Sequence, residues 1–441
     1  MSGATGRPVR VLPMPPDDTV LQHLPALAAA LAGDGPVLLP VPADDDTTAA
    51  RLARDLAADA PVPPAEDDPA DPVVLMIATS GSTGTAKGVL LPAGALCASA
   101  AATAQHLGGP ADDRADDPAD GASAGPASDP AAVHWLLPLP SWHIGGLQVL
   151  LRSLAAGTEP LVLAPPFRAA SFTAAVHRMP SGPRRTSLVP TQLRRVLDDA
   201  EATAALATFD AVLVGGAATP PDLQDAARAV GIRIVTTYGM SETAGGSVYD
   251  GIPLPGAEVG LLGPDDAAGD GSAGPTSGGI IAIRGPMVAR GYRGRPGDPA
   301  FPADPGAGAL RTFVTTDLGR WDGDRLQVLG RRDDVIVTGG ENVVPLRVEA
   351  ALRRVPGVRD VVVTGVPDPE WGQAVVAVVV PDLGAGTATL PAAVRAAGRA
   401  LDRPSEPRRV VLVAQIPTLG PGKPDRAAVR RLAAGDSPPP W

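Results

Sequence analysis

Lysine occurs only twice in the 441 residues, and both lysines lie in segments rich in glycine. Lys87 belongs to the segment Thr79–Gly88, TSGSTGTAKG, and Lys423 belongs to residues 417–426, PTLGPGKPDR. A lysine ammonium is a compact point charge that fits beside phosphate oxygens, whereas arginine presents a planar fork. Because arginine supplies every other basic residue, we predict that these two positions require lysine for binding or chemistry.

The segment Thr79–Gly88 directly follows the apolar, strand-like run 73–78. Its glycines allow the backbone N–H groups to surround an anion, and its hydroxyls add further donors. It is not a Walker A loop, because Ala86 and Gly88 occupy the positions that need glycine and serine or threonine. We predict a phosphate loop whose contacts come from Thr79, Ser80, Gly81, Ser82, Thr83, Gly84 and Lys87.

A second motif, Tyr238-Gly239-Met-Ser241-Glu242-Thr, follows the predicted strand 232–236. A tyrosine ring can stack on a base. A carboxylate at the end of a strand can bind Mg²⁺, which prefers one or two carboxylates together with phosphate oxygens. The same letters are also typical of a serine–glutamate pair at a helix N-terminus, and the motif alone leaves both interpretations open.

Three further candidates are weaker when taken singly. Gly215, Gly216 and Ala217 end a predicted strand, so a flat ring could lie against their backbone. Asp317 offers a carboxylate for a ribose diol, although it could equally cap a turn. Arg331 could add a cation beside the ribose or the phosphates.

The elements that must position these residues follow from the apolar pattern. Between residues 73 and 236, strand-like runs alternate with helix-like runs, which predicts a largely parallel α/β core. Short, glycine-punctuated runs predict a small β-rich subdomain over 257–329. From Asp333 onward, strands at 335–338, 358–365 and 373–380 and helices at 345–354 and 391–400 predict a second domain.

Several segments lack the pattern of a packed element. Proline and acidic residues fill 61–72, which we predict to be a linker. Residues 108–131 are acidic and of low complexity, which predicts a disordered surface insertion. Residues 263–278 and 294–308 resemble shorter insertions of the same kind, and we expect solvated loops without function.

The composition excludes several classes of protein. A net charge of −11 argues against nucleic-acid binding and against attachment to an anionic membrane. The single cysteine, Cys97, rules out an internal disulfide, and the five histidines show no metal-ligand spacing. Without a transmembrane run or a signal peptide, the expected location is cytoplasmic. The sequence leaves open whether two copies form a homodimer.

Taken in order, these motifs resemble the adenylate-forming superfamily of acyl-CoA synthetases, adenylation domains and luciferases, over roughly 73–432. In that family a carboxylate attacks the α-phosphate of MgATP, and a thiol then displaces AMP from the acyl-adenylate. The resemblance implies a large N-terminal domain, residues 1–332, and a small mobile α+β C-terminal domain, residues 333–441. It also implies ATP, Mg²⁺ and coenzyme A as ligands and a small carboxylic acid as substrate.

The resemblance assigns a role to each candidate residue. The loop containing Lys87 would hold the β- and γ-phosphates, and Glu242 would bind Mg²⁺. Lys423 would neutralise charge at the α-phosphate, and Asp333 would be the hinge. The remaining residues would contact adenine, ribose, the α-phosphate or the pantetheine arm: Gly215, Gly216, Ala217, Tyr238 and Gly239; Asp317 and Arg331; Ser241; and Gly339 and Gly340.

Within the superfamily, residues 142–146, 187–193 and 248–255 resemble the o-succinylbenzoate–CoA ligases of menaquinone biosynthesis. These segments would line the acyl pocket, and the second carboxylate of the substrate would need a partner. His143, Gln192 and Arg194 are the candidates.

Other functions stay open. Another aromatic or alicyclic acid could be the substrate. A stand-alone adenylation domain is disfavoured because 139–146 holds no acid to pair a substrate ammonium. A non-catalytic nucleotide-binding regulator is disfavoured by the retention of both lysines and Glu242.

Overall fold

A computed structural model of the protein describes residues 6–80, 86–108, 132–263, 278–303, 310–382, 388–419 and 423–435. The predicted insertion 108–131 therefore lies almost wholly outside the described residues. The chain forms two compact units, of which the first comprises Met1–Val259 and Ala282–Val314 and the second comprises Gly260–Ile281 and Thr315–Trp441. Each unit is described by itself.

The first unit contains a five-stranded sheet in the order β1-β2-β3-β4-β14. Its strands are β1 (Val9–Met14), β2 (Val37–Pro42), β3 (Val73–Ser80), β4 (Ala86–Pro92) and β14 (Gly291–Tyr292). The first three strands are parallel, and β4 is antiparallel to both β3 and β14. Strands β1, β2 and β4 were not predicted, because Arg10 and Pro13 of β1, the prolines of β2 and the glycine of β4 interrupt their apolar runs.

A second sheet of seven strands forms the α/β core, in the order β11-β10-β9-β8-β7-β5-β6. The strands are β5 (His134–Leu137), β6 (Leu161–Val162), β7 (Arg184–Leu188), β8 (Ala211–Val214), β9 (Ile234–Met240), β10 (Gly245–Tyr249) and β11 (Ile252–Pro253). The five strands β5 to β9 pair in parallel, which confirms the predicted parallel core. Strands β10 and β11 add antiparallel pairs at one edge.

Eight helices accompany these two sheets among the described residues: α1 (Leu24–Leu31), α2 (Asp46–Asp55), α3 (Ala93–Gly108), α4 (Ile144–Ala155), α5 (Ala169–Arg178), α6 (Pro190–Leu197), α7 (Ala200–Leu206) and α8 (Pro221–Ala229). Phe172, Leu193, Leu206 and Leu223 of α5 to α8 are buried with Val212 of the sheet in one apolar cluster. Burying this apolar face is the main force that holds the helices on the sheet.

The predicted linker 61–72 is instead a packed segment. Glu66 is buried and accepts hydrogen bonds from Arg293, whose Nη1 lies 3.2 Å from Oε2, and from the neighbouring Gly294 backbone. Asp71 forms an ion pair with Arg311 at 3.3 Å. The prediction was wrong because the arginines that satisfy these carboxylates come from more than 200 residues further along the chain, where composition cannot reveal them.

A four-stranded sheet in the order β12-β13-β15-β16 confirms the predicted β-rich region. Its strands are β12 (Glu258–Leu262), β13 (Gly279–Gly285), β15 (Arg311–Asp322) and β16 (Arg325–Arg331). The chain passes from one compact unit to the other within these strands. The second unit therefore begins before Asp333, and the predicted boundary at that residue stays a prediction about where the chain hinges.

The second unit continues with an α+β domain. Its strands are β17 (Ile336–Thr338), β18 (Glu341–Val343), β19 (Val358–Asp368), β20 (Gly372–Pro381), β21 (Arg409–Leu412), β22 (Thr418–Leu419) and β23 (Lys423–Pro424), and its helices are α9 (Pro345–Leu352), α10 (Leu390–Leu401) and α11 (Arg426–Ala434). The first five of these strands form one sheet, and β22 pairs with β23. Apolar residues of α9, α10, β19 and β20 form its core.

Glu349 of α9 is buried in this unit at 2% exposure. Its carboxylate accepts from the Val363 backbone N–H at 2.9 Å and lies 3.4 Å from Arg426 Nη1 and 3.7 Å from Arg353 Nη2. Burial raises the pKa of Glu349, and the two arginines oppose this shift. The carboxylate therefore depends on its arginines to stay charged inside the domain.

Replacing Arg426 by alanine should lower the free energy of unfolding of this unit by about 3 kcal/mol, because it leaves a buried charge short of a partner. Hydrogen exchange localised to β19 and β20 measures the effect. Arg431→Ala removes an exposed cation from the same helix and should leave exchange unchanged. Equal exchange in both variants would contradict the proposed contribution of Arg426.

Candidate active site

The carboxyl ends of the parallel strands gather the predicted residues at one edge of the seven-stranded sheet. Strands β5, β7, β8 and β9 end at Leu137, Leu188, Val214 and Met240, and a predicted motif follows or ends each of them. The chain proceeds from β5 to β6 in one direction and from β7 to β8 and β9 in the other. Such a reversal of strand order opens a crevice at this edge, where open α/β sheets bind ligands.

Gly215 directly follows β8, and Tyr238 lies in β9, the strand that pairs with β8. A Cβ atom at Gly215 would lie 2.1 Å from Thr237 Oγ1, so only glycine fits there. Gly216 has φ of +78°, a backbone conformation that glycine adopts without strain. The structure thus brings together Gly215, Gly216, Ala217, Tyr238 and Gly239, the set predicted to contact a flat ring.

The predicted phosphate loop is the connection of a β-hairpin. In the β3–β4 register, Thr79 faces Lys87 and Ser80 faces Ala86. Gly81, Ser82, Thr83 and Gly84 lie outside the described residues. The half-buried Lys87 places its Nζ atom 4.5 Å from the centre of the Tyr292 ring, over the ring face.

Glu242 lies in a single turn of 3₁₀ helix, Ser241–Thr243, whose three residues are buried. One carboxylate oxygen, Oε1, accepts a hydrogen bond from the Tyr292 hydroxyl at 2.8 Å, and the Glu242 carbonyl accepts from the Ala289 backbone at 2.8 Å. Burial and the neighbouring Glu242 charge raise the pKa of Tyr292, so its hydroxyl stays a donor. The Tyr292 hydroxyl thus fixes one oxygen of the Glu242 carboxylate by a hydrogen bond.

This environment fits the binding of Mg²⁺. The described residues contain no group of three or more His, Cys, Asp or Glu side chains that could hold a metal by themselves. Mg²⁺ does not need such a cage, because it binds through one or two carboxylates and the phosphates of its nucleotide. Glu242 is a buried carboxylate placed next to the strand-end motifs that could supply that ligand.

The turn after Glu242 is fixed by polar contacts from two helices. Ala244 adopts a left-handed conformation with φ of +51°, which is strained for alanine. Its carbonyl accepts from Ser99 of α3 and from Gln148 of α4, and Thr243 Oγ1 donates to the Gly245 carbonyl at 2.7 Å. These contacts hold the turn and thereby the backbone of the glutamate.

Two of the three segments predicted to line the acyl pocket, 142–146 and 187–193, flank the reversal of strand order, whereas 248–255 covers the end of β10 and β11 at the sheet edge. His143 precedes α4, and its imidazole is accessible although many protein atoms surround it. Those atoms displace water and lower the pKa of His143, so its neutral form predominates at neutral pH. Its position at the start of α4, beside the reversal of strand order, keeps His143 a candidate for the acyl pocket.

The structure gives Gln192 and Arg194 partners other than the predicted substrate. Gln192 donates to the Pro138 carbonyl at 2.9 Å and accepts from the Val189 backbone at 3.1 Å, so it joins the loops after β5 and β7. Arg194 is a surface residue of α6 whose Nη2 lies 4.0 Å from an Asp222 oxygen. The amide of Gln192 is thus already engaged by backbone groups, whereas the role of Arg194 at the substrate stays a prediction.

In the second unit, the predicted ribose pair is adjacent. Asp317 and Arg331 are direct partners across β15 and β16, and Arg331 Nε lies 3.7 Å from Asp317 Oδ1. Arg331 also donates to Thr316 Oγ1 at 2.7 Å. The carboxylate and the guanidinium therefore lie side by side, as a ribose-binding site would require.

The predicted hinge residue, Asp333, is exposed, whereas the next residue, Asp334, is held by ion pairs. Asp334 forms ion pairs with Arg426 at 3.5 Å and with Arg430 at 3.1 Å. These contacts tie the predicted hinge segment to α11, which begins three residues after Lys423. Lys423 itself is exposed and lies in β23.

Gly339 and Gly340 form the turn of the β17–β18 hairpin with φ of +59° and +83°, which suits a tight hairpin turn. A Cβ atom at Gly339 would lie 2.7 Å from the Trp371 ring. The guanidinium of Arg408 lies 4.1 Å from the centre of the same ring. The two glycines are exposed beside this aromatic surface.

Sequence reasoning missed Tyr292, which contacts both Lys87 and Glu242. It also assigned 294–308 to a solvated loop, whereas Phe301 packs edge-on against Tyr292 with ring centres 5.0 Å apart. Residues 304–308 of that segment lie outside the described residues. The available signal was the scarcity of tyrosine, since Tyr292 is one of only three tyrosines of the chain and follows the short apolar run 287–289 by three residues.

The fold and these motifs define an α/β nucleotide-binding enzyme. The chain matches the family model of AMP-binding enzymes over residues 15–293 and that of their C-terminal domain over residues 347–423. It is 41% identical, over 97% of its length, to the whole of a Mycobacterium tuberculosis protein named probable 2-succinylbenzoate–CoA ligase. The chain therefore belongs to the AMP-binding enzyme family.

Two further relatives bear on the substrate. A feruloyl-CoA synthase from Amycolatopsis is 32% identical, with 92% of this chain and 81% of that protein covered. Among solved structures, the o-succinylbenzoate CoA synthetase of Bacillus subtilis in complex with its acyl-adenylate intermediate superposes with a TM-score of 0.64 at 26% identity. That superposition covers 82% of this chain and 69% of the other. No helix of the described residues is long and apolar enough to cross a bilayer.

Proposed function

We propose that the protein is an AMP-forming acid–CoA ligase that converts o-succinylbenzoate to its CoA thioester through an acyl-adenylate, in menaquinone biosynthesis. The observation that carries this proposal is the 41% identity to a relative named for this reaction, which extends along 97% of the chain. A cytoplasmic location is part of this proposal, and the single cysteine of the chain, Cys97, is in keeping with a reducing compartment.

Residues of the first unit bind the nucleotide. Lys87 and the β3–β4 connection hold the β- and γ-phosphates, while Gly215 to Ala217 and Tyr238 contact adenine. Ser241 contacts the α-phosphate region, and Glu242 holds Mg²⁺, which when bound offsets the negative charge of the phosphates. Carboxylate and ATP repel one another, so placing positive charge in advance is the main contribution of this chain to the first step.

Residues of the second unit complete the two steps. Asp317 and Arg331 hold the ribose hydroxyls. Lys423 donates to the oxygens between the attacking carboxylate and the α-phosphate during adenylation, where negative charge accumulates. Asp333 is the hinge for withdrawal of this lysine, and the Gly339–Gly340 turn then lines the path of the CoA thiol.

The acyl pocket lies at the reversal of strand order, with His143 in its wall. Neutral imidazole can donate one hydrogen bond to a carboxylate of the substrate. Gln192 contributes indirectly, because it joins the two loops that form the pocket. The similarity to a feruloyl-CoA synthase supports a second candidate, a CoA ligase for another aromatic acid.

The test is pyrophosphate release from MgATP with a panel of acids: o-succinylbenzoate, ferulate, benzoate, a medium-chain fatty acid and amino acids. Release with o-succinylbenzoate, followed by thioester formation when CoA is added, is the expected result. Release only with ferulate or benzoate would instead support the second candidate, a CoA ligase for another aromatic acid. Release with amino acids and no thioester would contradict a CoA ligase.

A further inference from the structure

Tyr292 contacts two groups of the nucleotide site at once. Its hydroxyl donates to Glu242 Oε1 at 2.8 Å, and its ring face lies 4.5 Å from the Lys87 ammonium nitrogen. The two groups come from different sheets, since Lys87 is in β4 and Glu242 follows β9. A single side chain thus joins the predicted phosphate hairpin to the predicted metal carboxylate.

Backbone contacts fix the position of Tyr292. It pairs with Val89 in the β4–β14 register, and the next residue, Arg293, donates from its backbone N–H to the Gly88 carbonyl at 2.8 Å. The Arg293 side chain is held by the buried Glu66. Backbone pairing with β4 and the Arg293–Glu66 contact therefore hold Tyr292 beside the strand that carries Lys87.

Its side chain has little freedom to adapt. Tyr292 is 4% exposed, and Phe301 packs edge-on against its ring. A buried hydroxyl that loses its acceptor leaves an unsatisfied donor, which favours one orientation of Glu242 over others. The hydrogen bond fixes one carboxylate oxygen, Oε1, and so sets the orientation in which the Glu242 carboxylate meets a cation.

We propose that Tyr292 is a positioning residue that orients the Glu242 carboxylate for the Mg²⁺ of MgATP and holds Lys87 for its phosphates. This inference rests on the proposed role of Glu242. Hydrogen-bond partners of metal ligands contribute about 10- to 100-fold to metal affinity in other sites. The cation–ring contact adds a smaller share, which we expect to be about threefold in the affinity for ATP.

The two contacts can be separated by substitution. Tyr292→Phe keeps the ring and removes the hydroxyl, so the Mg²⁺ concentration that gives half-maximal strengthening of ATP binding should rise about 10-fold. ATP binding without Mg²⁺ should stay within about twofold of the parent. Tyr292→Leu removes both contacts, so metal-free ATP binding should also weaken, by about threefold. Titration calorimetry with ATP over a series of MgCl₂ concentrations measures both quantities.

A matched control is Thr186→Val, which removes a buried hydroxyl that donates to the Leu136 carbonyl at 3.0 Å. It should leave the Mg²⁺ dependence of ATP binding unchanged. Thermal unfolding without ligand reports whether each variant is folded. A shift in Thr186→Val as large as in Tyr292→Phe would assign the effect to general loosening of the fold and overturn the proposal.

Glu242→Gln separates the inference from the function on which it rests. If this variant loses Mg²⁺-dependent ATP binding while Tyr292→Phe behaves as the parent, the positioning role alone is wrong. If both variants keep the parent dependence, the assignment of Glu242 to the metal is wrong. Calorimetry needs no acid substrate, so the result stands whichever acid the enzyme uses.

Discussion

Replacing Lys423 by alanine should slow acyl-adenylate formation by about 100- to 1,000-fold, the usual loss when a preorganised donor at a developing charge is removed. Thioester formation from supplied acyl-adenylate should stay near the parent rate, because the lysine is proposed to act only in the first step. Rapid-quench measurement of pyrophosphate and of thioester separates the two steps. Lys423 lies in the second unit, whereas Lys87 and Glu242 lie in the first.

The control for this variant is Arg431→Ala, which removes an exposed cation from the same unit. It should keep both half-reactions near the parent rate. A loss shared equally by adenylation and thioester formation in Lys423→Ala would be incompatible with a role restricted to the first step. A slowed thioester step with normal adenylation would reverse the assignment.

The second large effect is expected for Glu242→Gln. Its amide oxygen can still accept the Tyr292 hydrogen bond, so the variant removes the charge and leaves the support in place. Adenylation should fall by about 100-fold or more, because stabilisation by a metal in such a site is worth several kcal/mol. The Mg²⁺ concentration for half-maximal rate should rise in parallel, and steady-state pyrophosphate release over a MgCl₂ series measures both.

Glu201→Gln provides the matched substitution at an exposed glutamate of α7. Its rate and its Mg²⁺ dependence should equal those of the parent. If Glu242→Gln keeps the parent Mg²⁺ dependence, the carboxylate does not hold the metal, whatever happens to the rate. If the rate falls without a change in that dependence, its role is electrostatic only.

The local pattern of apolar residues was sufficient to predict the strands of the α/β core. It was insufficient to predict those of the five-stranded sheet. Strands such as β8 are short apolar runs followed by glycine, and buried parallel strands have this form. In β2, VLLPVP, two prolines interrupt the run, yet all six residues are buried in the sheet. Proline argues against a strand only until its neighbours are known, and those neighbours are set by tertiary structure.

The residues of the candidate site likewise divide into those that the sequence could predict and those that it could not. The motifs around Gly215 and Tyr238 were predictable, because loops after parallel strands must meet at one edge. The Tyr292–Glu242 hydrogen bond joins residues 50 positions apart, and no spacing rule indicates it. Gln192 was a plausible substrate ligand by residue type, but its amide joins two backbone segments, a use that only coordinates reveal.

The acidic segment around Glu66 has a consequence for dissecting this enzyme. Through Arg293 it supports the strand that carries Tyr292, so residues near the start of the chain help to shape a contact made by residues near 290. A shortened version beginning at β3 would retain both halves of the phosphate hairpin and Glu242. It would nevertheless lack Glu66, whose contact with Arg293 supports Tyr292. The smallest fragment that binds the nucleotide by itself must therefore include the segment 61–72.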